Sequence, residues 1–146
     1  MVGLDEAGRG PLAGPVVAAA VCIKNPNDQI PNPNQIKNPK SQKRFGHWDL
    51  KFGISEIKDS KQLSPKKRED LYAIITTHPS IEWGIGIVSE KVIDKINILE
   101  ATKLAMAKAI TNLNSKLQTP NPKIDFLILD GNFILNIDLP QKSIVK

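Results

Sequence analysis

An α/β domain built around a mixed sheet is the fold class that these 146 residues predict. Two observations carry it. Apolar runs of strand length and stretches with 3.6-residue apolar spacing follow one another in the order strand, strand, helix, strand, helix, helix, strand. Length and composition agree: 146 residues suit one domain, and 40% apolar with 24% charged residues supports a packed core.

Val2 to Leu4 form an apolar stub leading into Asp5-Glu6-Ala7-Gly8-Arg9-Gly10-Pro11, where glycine and proline break regular structure. Val16 to Ile23 reads as a buried strand, so the chain opens as strand, Gly-rich turn, strand. From Lys24 to Arg44 the composition shifts to Asn and Pro with scattered Lys37, Lys40, Lys43 and Arg44, the pattern of a surface loop. Phe45, Trp48, Leu50, Phe52 and Ile54 then restore apolar character. A single domain over 1–146 with an Asn/Pro-rich insertion at about 24–57 is the expected organisation.

Ser64-Pro65 predicts a helix start, a capping hydroxyl ahead of proline at the first helical position, and Pro79 predicts its end. Leu71, Ile74, Ile75 and His78 line one side of that helix. Ile81, Trp83, Ile85 and Ile87 alternate with Glu82, Gly84, Gly86 and Val88, which predicts a strand whose apolar face carries the isoleucines and the tryptophan. Ser89 caps a short helix. A longer one follows, with Ile98, Thr102, Ala105, Met106, Ala109, Ile110 and Leu113 on one face. After the Thr119–Pro122 breaker, Ile124 to Leu129 reads as a central strand buried on both faces and delivering Asp130 at its tip. Ile134 to Ile137 and Ser143 to Val145 offer one further edge strand.

Several function classes fall away. No apolar run approaches the ~20 residues of a membrane span, and no basic region precedes an apolar one at the N-terminus, so a cytoplasmic domain without a membrane partner is expected. The lone Cys22 rules out an internal disulfide framework and a Cys-rich zinc site. A formal net charge of +5 favours a polyanionic partner.

The chemistry-bearing residues are acids and glycines. Asp5, Glu6 and Asp130 converge at one sheet edge if their strands are neighbours. Ionised carboxylates held together need a compensating charge. Oxygen ligands with little His or Cys point to Mg²⁺ or Mn²⁺, ions able to activate water against a phosphodiester. Gly8-Arg9-Gly10 can form a backbone nest for an anion, and Asp59-Ser60-Lys61 ahead of the Ser64 cap suits a phosphate.

The stretch Gly3 to Val21, Asp59-Ser60-Lys61-Gln62-Leu63-Ser64, Ile96-Asn97-Ile98-Leu99-Glu100-Ala101-Thr102 with Ala105-Met106, and Leu129-Asp130-Gly131-Asn132 together resemble, in order, four signatures of ribonuclease HII. The resemblance implies a ribonuclease H-like mixed sheet flanked by helices. It also implies an endonuclease that cuts the RNA strand of RNA–DNA hybrids, including ribonucleotides embedded in a DNA duplex. Asp5, Glu6 and Asp130 would then be catalytic metal ligands, Gly8, Arg9 and Gly10 would read the ribose 2′-hydroxyl, and Lys61 and Asn97 would hold phosphates. The family's fourth acid and later helices have no counterpart before Lys146, so the resemblance implies a C-terminally truncated chain, with the C-terminal part of the fold missing, one sheet face poorly covered and weakened ion binding. No obligate protein partner is evident. A non-catalytic nucleic-acid-binding remnant and a ribonuclease H-like DNA nuclease are the competing expectations.

Overall fold

The computed structural model describes residues 1–11, 13–24, 59–117 and 124–145. Nearly all of the expected 24–57 insertion, with its basic residues and the apolar run from Phe45 to Ile54, lies outside the described residues, as does the Thr119–Pro122 breaker. Two units are distinguished, Met1–Asn25 with Pro79–Lys146 and Pro26–His78.

The first unit carries β1 (Val2–Ala7), β2 (Val16–Ile23), β3 (Ile81–Val88), α2 (Glu90–Lys116), β4 (Leu127–Asp130) and β5 (Gln141–Ile144). The second carries a 3-10 turn (Ser60–Gln62) and α1 (Pro65–Thr77). The strands form one five-stranded mixed sheet in the order β3-β2-β1-β4-β5. β1 and β2 pair antiparallel, as do β2 and β3, while β1–β4 and β4–β5 are parallel. This is the mixed α/β sheet that the sequence predicts.

α2 packs on one face of this sheet. Ala101, Thr102, Ala105, Met106, Ala109, Ile110 and Leu113 are its buried side, matching the predicted stripe. They share one core with Val2 and Leu4 of β1, Val16, Ala18 and Ala20 of β2, and Leu127 and Leu129 of β4. Thr102 is fully buried, and its hydroxyl is satisfied by donating to the Ile98 carbonyl at 2.8 Å.

The face of β3 that meets the helix is not the predicted one. Beyond Ile81 the buried positions are Gly84, Gly86 and Val88; Trp83 and Ile85 are half-buried and Ile87 is 55% exposed. The reason is distance of approach. A Cβ on Gly86 would run into the Ala105 carbonyl oxygen, and one on Gly84 into the Ala109 carbonyl and the Leu113 backbone. Alternation scored by hydropathy puts the isoleucines inside, but here the helix backbone itself fills the space over the glycines.

Other differences are smaller. β1 continues past the apolar stub, so Asp5 and Glu6 lie within the strand rather than after it. β4 starts at Leu127, and Ile128 on its second face is only half-buried. The two predicted helices after Ser89 run together as α2 across a break at Asn97, which has φ 67° and ψ 167°. Its carboxamide oxygen accepts from the Glu100 N–H at 3.1 Å, so Asn97 caps the second half of α2.

Between β4 and β5 the chain needs no helix. Leu127 N–H donates to the Pro140 carbonyl at 2.9 Å and Gly131 N–H to the Ile144 carbonyl at 3.0 Å. The Gln141 carboxamide grips the connection, accepting from Leu135 N–H at 2.7 Å and donating to the Leu135 carbonyl at 2.8 Å.

In the second unit Ser64 caps α1 through the Lys67 N–H, as predicted. Arg68 reaches back to the carbonyls of Ser60 at 3.2 Å and Leu63 at 2.8 Å, tying the helix to the turn. None of α1 is buried within the described residues, so the predicted apolar line from Leu71 to His78 has no packed counterpart there.

Candidate active site

Asp5 and Asp130 are brought together by strand register. The parallel β1–β4 pairing aligns Leu4 with Leu129, so the next residues, Asp5 and Asp130, are neighbours at the same end of the two strands. Adjacent strands lie ~4.8 Å apart, within reach for two carboxylates to share one ligand. Each acid sits two residues beyond a partner of the same face, Gly3 and Ile128, which are also paired. Strand alternation therefore turns both acids away from α2, onto the sheet's second face.

That face holds a cavity of about 370 Å³ lined by Gly3, Leu4, Asp5, Ala19, Val21, Ile128, Asp130 and Ile144. Asp5 is flanked by Ala19 on β2, and Asp130 by Ile144 on β5, so one row of side chains runs Ala19, Asp5, Asp130, Ile144 across four strands. The floor is apolar, and among the described residues the two acids are its only charged lining. Asp5 is fixed locally, its Oδ1 accepting from the Glu6 N–H at 2.7 Å.

Glu6 is placed differently. One residue along the strand, it turns toward the α2 side, and its side chain is only 11% exposed. Its Oε1 pairs with Arg9 Nη1 at 3.1 Å, while Oε2 is buried with no hydrogen-bond partner. Among the described residues no group of three or more His, Cys, Asp or Glu stands close enough to hold one ion. The structure thus brings two of the three predicted acids together and sets the third behind the strand.

The donor chemistry fits a hard divalent cation. Asp5 and Asp130 supply oxygens alone from adjacent strands, and Glu6 Oε2 is an orphaned buried acceptor at the same strand end.

The turn after β1 depends on Gly8. Its φ is 97°, and a Cβ there would lie 2.5 Å from the Pro15 carbonyl oxygen, so only glycine lets the two strands leave side by side. Around Gly10 nothing among the described residues stands within 4 Å of an added Cβ. Arg9 is exposed and held over the turn by Glu6. Asn97 is exposed at the α2 break. Lys61 is exposed in the other unit, in a turn capped by Asp59, whose Oδ1 accepts from the Lys61 N–H at 3.0 Å. The sequence reading missed Gly3 and Ala19, whose small size hollows the face beside the acids. The signal was available as Gly3-x-Asp5, a small residue and an acid two apart on one strand.

A family profile described as Ribonuclease HII matches residues 2–40. Curated relatives named Ribonuclease HII align along the chain. That of Chlamydia trachomatis is 42% identical over the whole chain and 52% of its own length. That of Chlamydia muridarum is 44% identical over the same shares. That of Treponema denticola is 43% identical over 94% of the chain and 60% of its own length. Along its whole length the chain is similar to these ribonuclease HII proteins. It spans about half the length of the curated relatives it matches. No helix among the described residues is long and apolar enough to cross a membrane.

Proposed function

We propose that this chain carries the metal-dependent site of an endoribonuclease that hydrolyses the RNA strand of RNA–DNA hybrids and cuts beside ribonucleotides embedded in DNA, in the cytoplasm. The observation that carries the reading is the register that places Asp5 and Asp130 side by side on the sheet's second face, at the strand end from which the Gly8-Arg9-Gly10 turn departs. The Ribonuclease HII relatives support it.

In this reading Asp5 and Asp130 hold the cation, Mg²⁺ or Mn²⁺, and Glu6 joins as a further ligand once its side chain swings round from the α2 side of β1, away from Arg9. When bound, such an ion lowers the pKa of water and offsets the charge gathering at the phosphodiester. The chain's own residues do the rest. Asp5 is pre-set by the Glu6 N–H, and the turn's backbone meets the ribose 2′-hydroxyl, the group that distinguishes RNA from DNA. Arg9, Lys61 and Asn97 hold phosphates, Arg9 by releasing its pairing to Glu6.

The test is a DNA duplex with one embedded ribonucleotide, incubated with Mg²⁺ or Mn²⁺ and with a chelator. Incision on the 5′ side of the ribonucleotide, lost with chelator and in Asp5→Asn or Asp130→Asn, is the expected result. Cutting that persists in both variants would remove these acids from the reaction. The position of Glu6 behind the strand favours a second reading, hybrid binding without turnover, for which the same assay shows a complex and no product. Cleavage of an all-DNA duplex would favour a ribonuclease H-like DNA nuclease.

A further inference from the structure

Among the described residues β3 is the last strand on its side of the sheet, paired only through β2. In an antiparallel ladder alternate residues turn their carbonyls outward, and on an edge strand that row is a template for another chain. Here the row is taken. Lys108 Nζ donates to the Ile87 carbonyl at 3.2 Å, Asn112 Nδ2 to the Ile85 carbonyl at 3.2 Å, and Lys116 Nζ to the Trp83 carbonyl at 2.9 Å.

The match is one of periods. Positions 108, 112 and 116 are successive i+4 steps on α2, rising ~6 Å each, and residues 83, 85 and 87 are i+2 steps on β3, rising ~6.6 Å each. The helix can reach the carbonyls with a side chain as short as asparagine because Gly84 and Gly86 let its backbone settle onto the strand. Lys116 also lies 3.8 Å from the centroid of the Trp83 ring, which anchors its end of the row.

We propose that Lys108, Asn112 and Lys116 form a clasp that closes the β3 edge to strand addition by a second copy of this chain. The clasp satisfies the outward carbonyls and sets two positive charges along the edge, so a second β3 meets both occupied acceptors and like charge. It is independent of the acids on the second face and of any nuclease activity.

The experiment compares the 146-residue chain with Lys108→Ala/Asn112→Ala/Lys116→Ala by sedimentation velocity across a concentration series. The variant is expected to self-associate with a dissociation constant about tenfold or more tighter than the parent's. Adding Ile87→Lys, at an exposed position of the same strand, returns it to the parent's behaviour. A folded triple variant that associates no more tightly than the parent overturns the proposal, and so does association that survives Ile87→Lys. Should the triple variant not fold, Lys108→Met/Asn112→Leu/Lys116→Met keeps packed side chains and removes the three donors, and the same two outcomes decide.

Discussion

On the α2 side the strands present Val2, Leu4, Val16, Ala18, Ala20, Gly84, Gly86, Leu127 and Leu129, all buried. Toward the second face the same strands present Gly3, Asp5, Ala19, Val21, Ile128 and Asp130 around a hollow. The helix side spends its small residues on bringing a backbone close. The cavity side uses them to leave room. The same residue type therefore has opposite consequences: a side chain added at Gly86 meets the Ala105 carbonyl oxygen, whereas one added at Gly3 finds its nearest neighbour, the Val21 carbonyl oxygen, at 4.0 Å.

The contrast breaks most visibly at Gly86. Gly86→Val should destabilise the chain by about 3 kcal/mol or more, read as a lower urea midpoint, because the helix must lift off the sheet. Gly3→Ala should change the same midpoint by less than about 0.5 kcal/mol. Equal effects would mean that the two faces do not differ as described.

Asn97 sharpens the helix side of the comparison. Its φ of 67° is uncomfortable for any residue but glycine, and its carboxamide caps the following turn. Asn97→Ala should cost about 1–3 kcal/mol by urea denaturation, since it loses the cap and keeps the strain. Asn97→Gly should stay within a few tenths of a kcal/mol, since relief of strain offsets the lost cap.

On the cavity side, Asp5→Asn and Asp130→Asn should each leave the urea midpoint within about 0.5 kcal/mol of the parent while lowering Mn²⁺ affinity, measured by calorimetry, at least about tenfold. Loss of stability without loss of ion binding would make these acids structural.

The smallest effect concerns Cys22, 8% exposed in the core of β2. Burial holds its thiol above the ordinary value of 9.0, with Glu82 adding to the rise. The unfolded chain therefore ionises first. Stability is intact below pH 9 and falls as pH climbs through the interval between the unfolded and folded values. Cys22→Ala should flatten that part of the stability–pH curve.

Much of this was legible in the residues. β2 was readable from an unbroken run of small and β-branched side chains, α1 from Ser64-Pro65, and the buried stripe of α2 from its spacing. The inside face of β3 was not, because hydropathy ranks isoleucine above glycine and carries no information about a helix backbone arriving at contact distance. For the site, the pairing of Asp5 with Asp130 follows once β1 and β4 are known to be parallel neighbours. That adjacency belongs to topology, which spacing along the chain does not encode. The turn of Glu6 to the other face follows from Asp5 and Glu6 being consecutive residues of one strand, and was hidden by reading the strand as ending at Leu4.

Gln141 has a reach beyond its own strand. Parallel neighbours are ordinarily joined by a crossover of a dozen or more residues with a helix in it, yet residues 131–140 make the join from β4 to β5 as an irregular loop folded around one carboxamide. That amide stands in for a missing layer of packing. Asp130 pairs with Ile144, at the far end of the strand that Gln141 opens, so the carboxamide that gathers the loop also sets where the strand beside that acid begins.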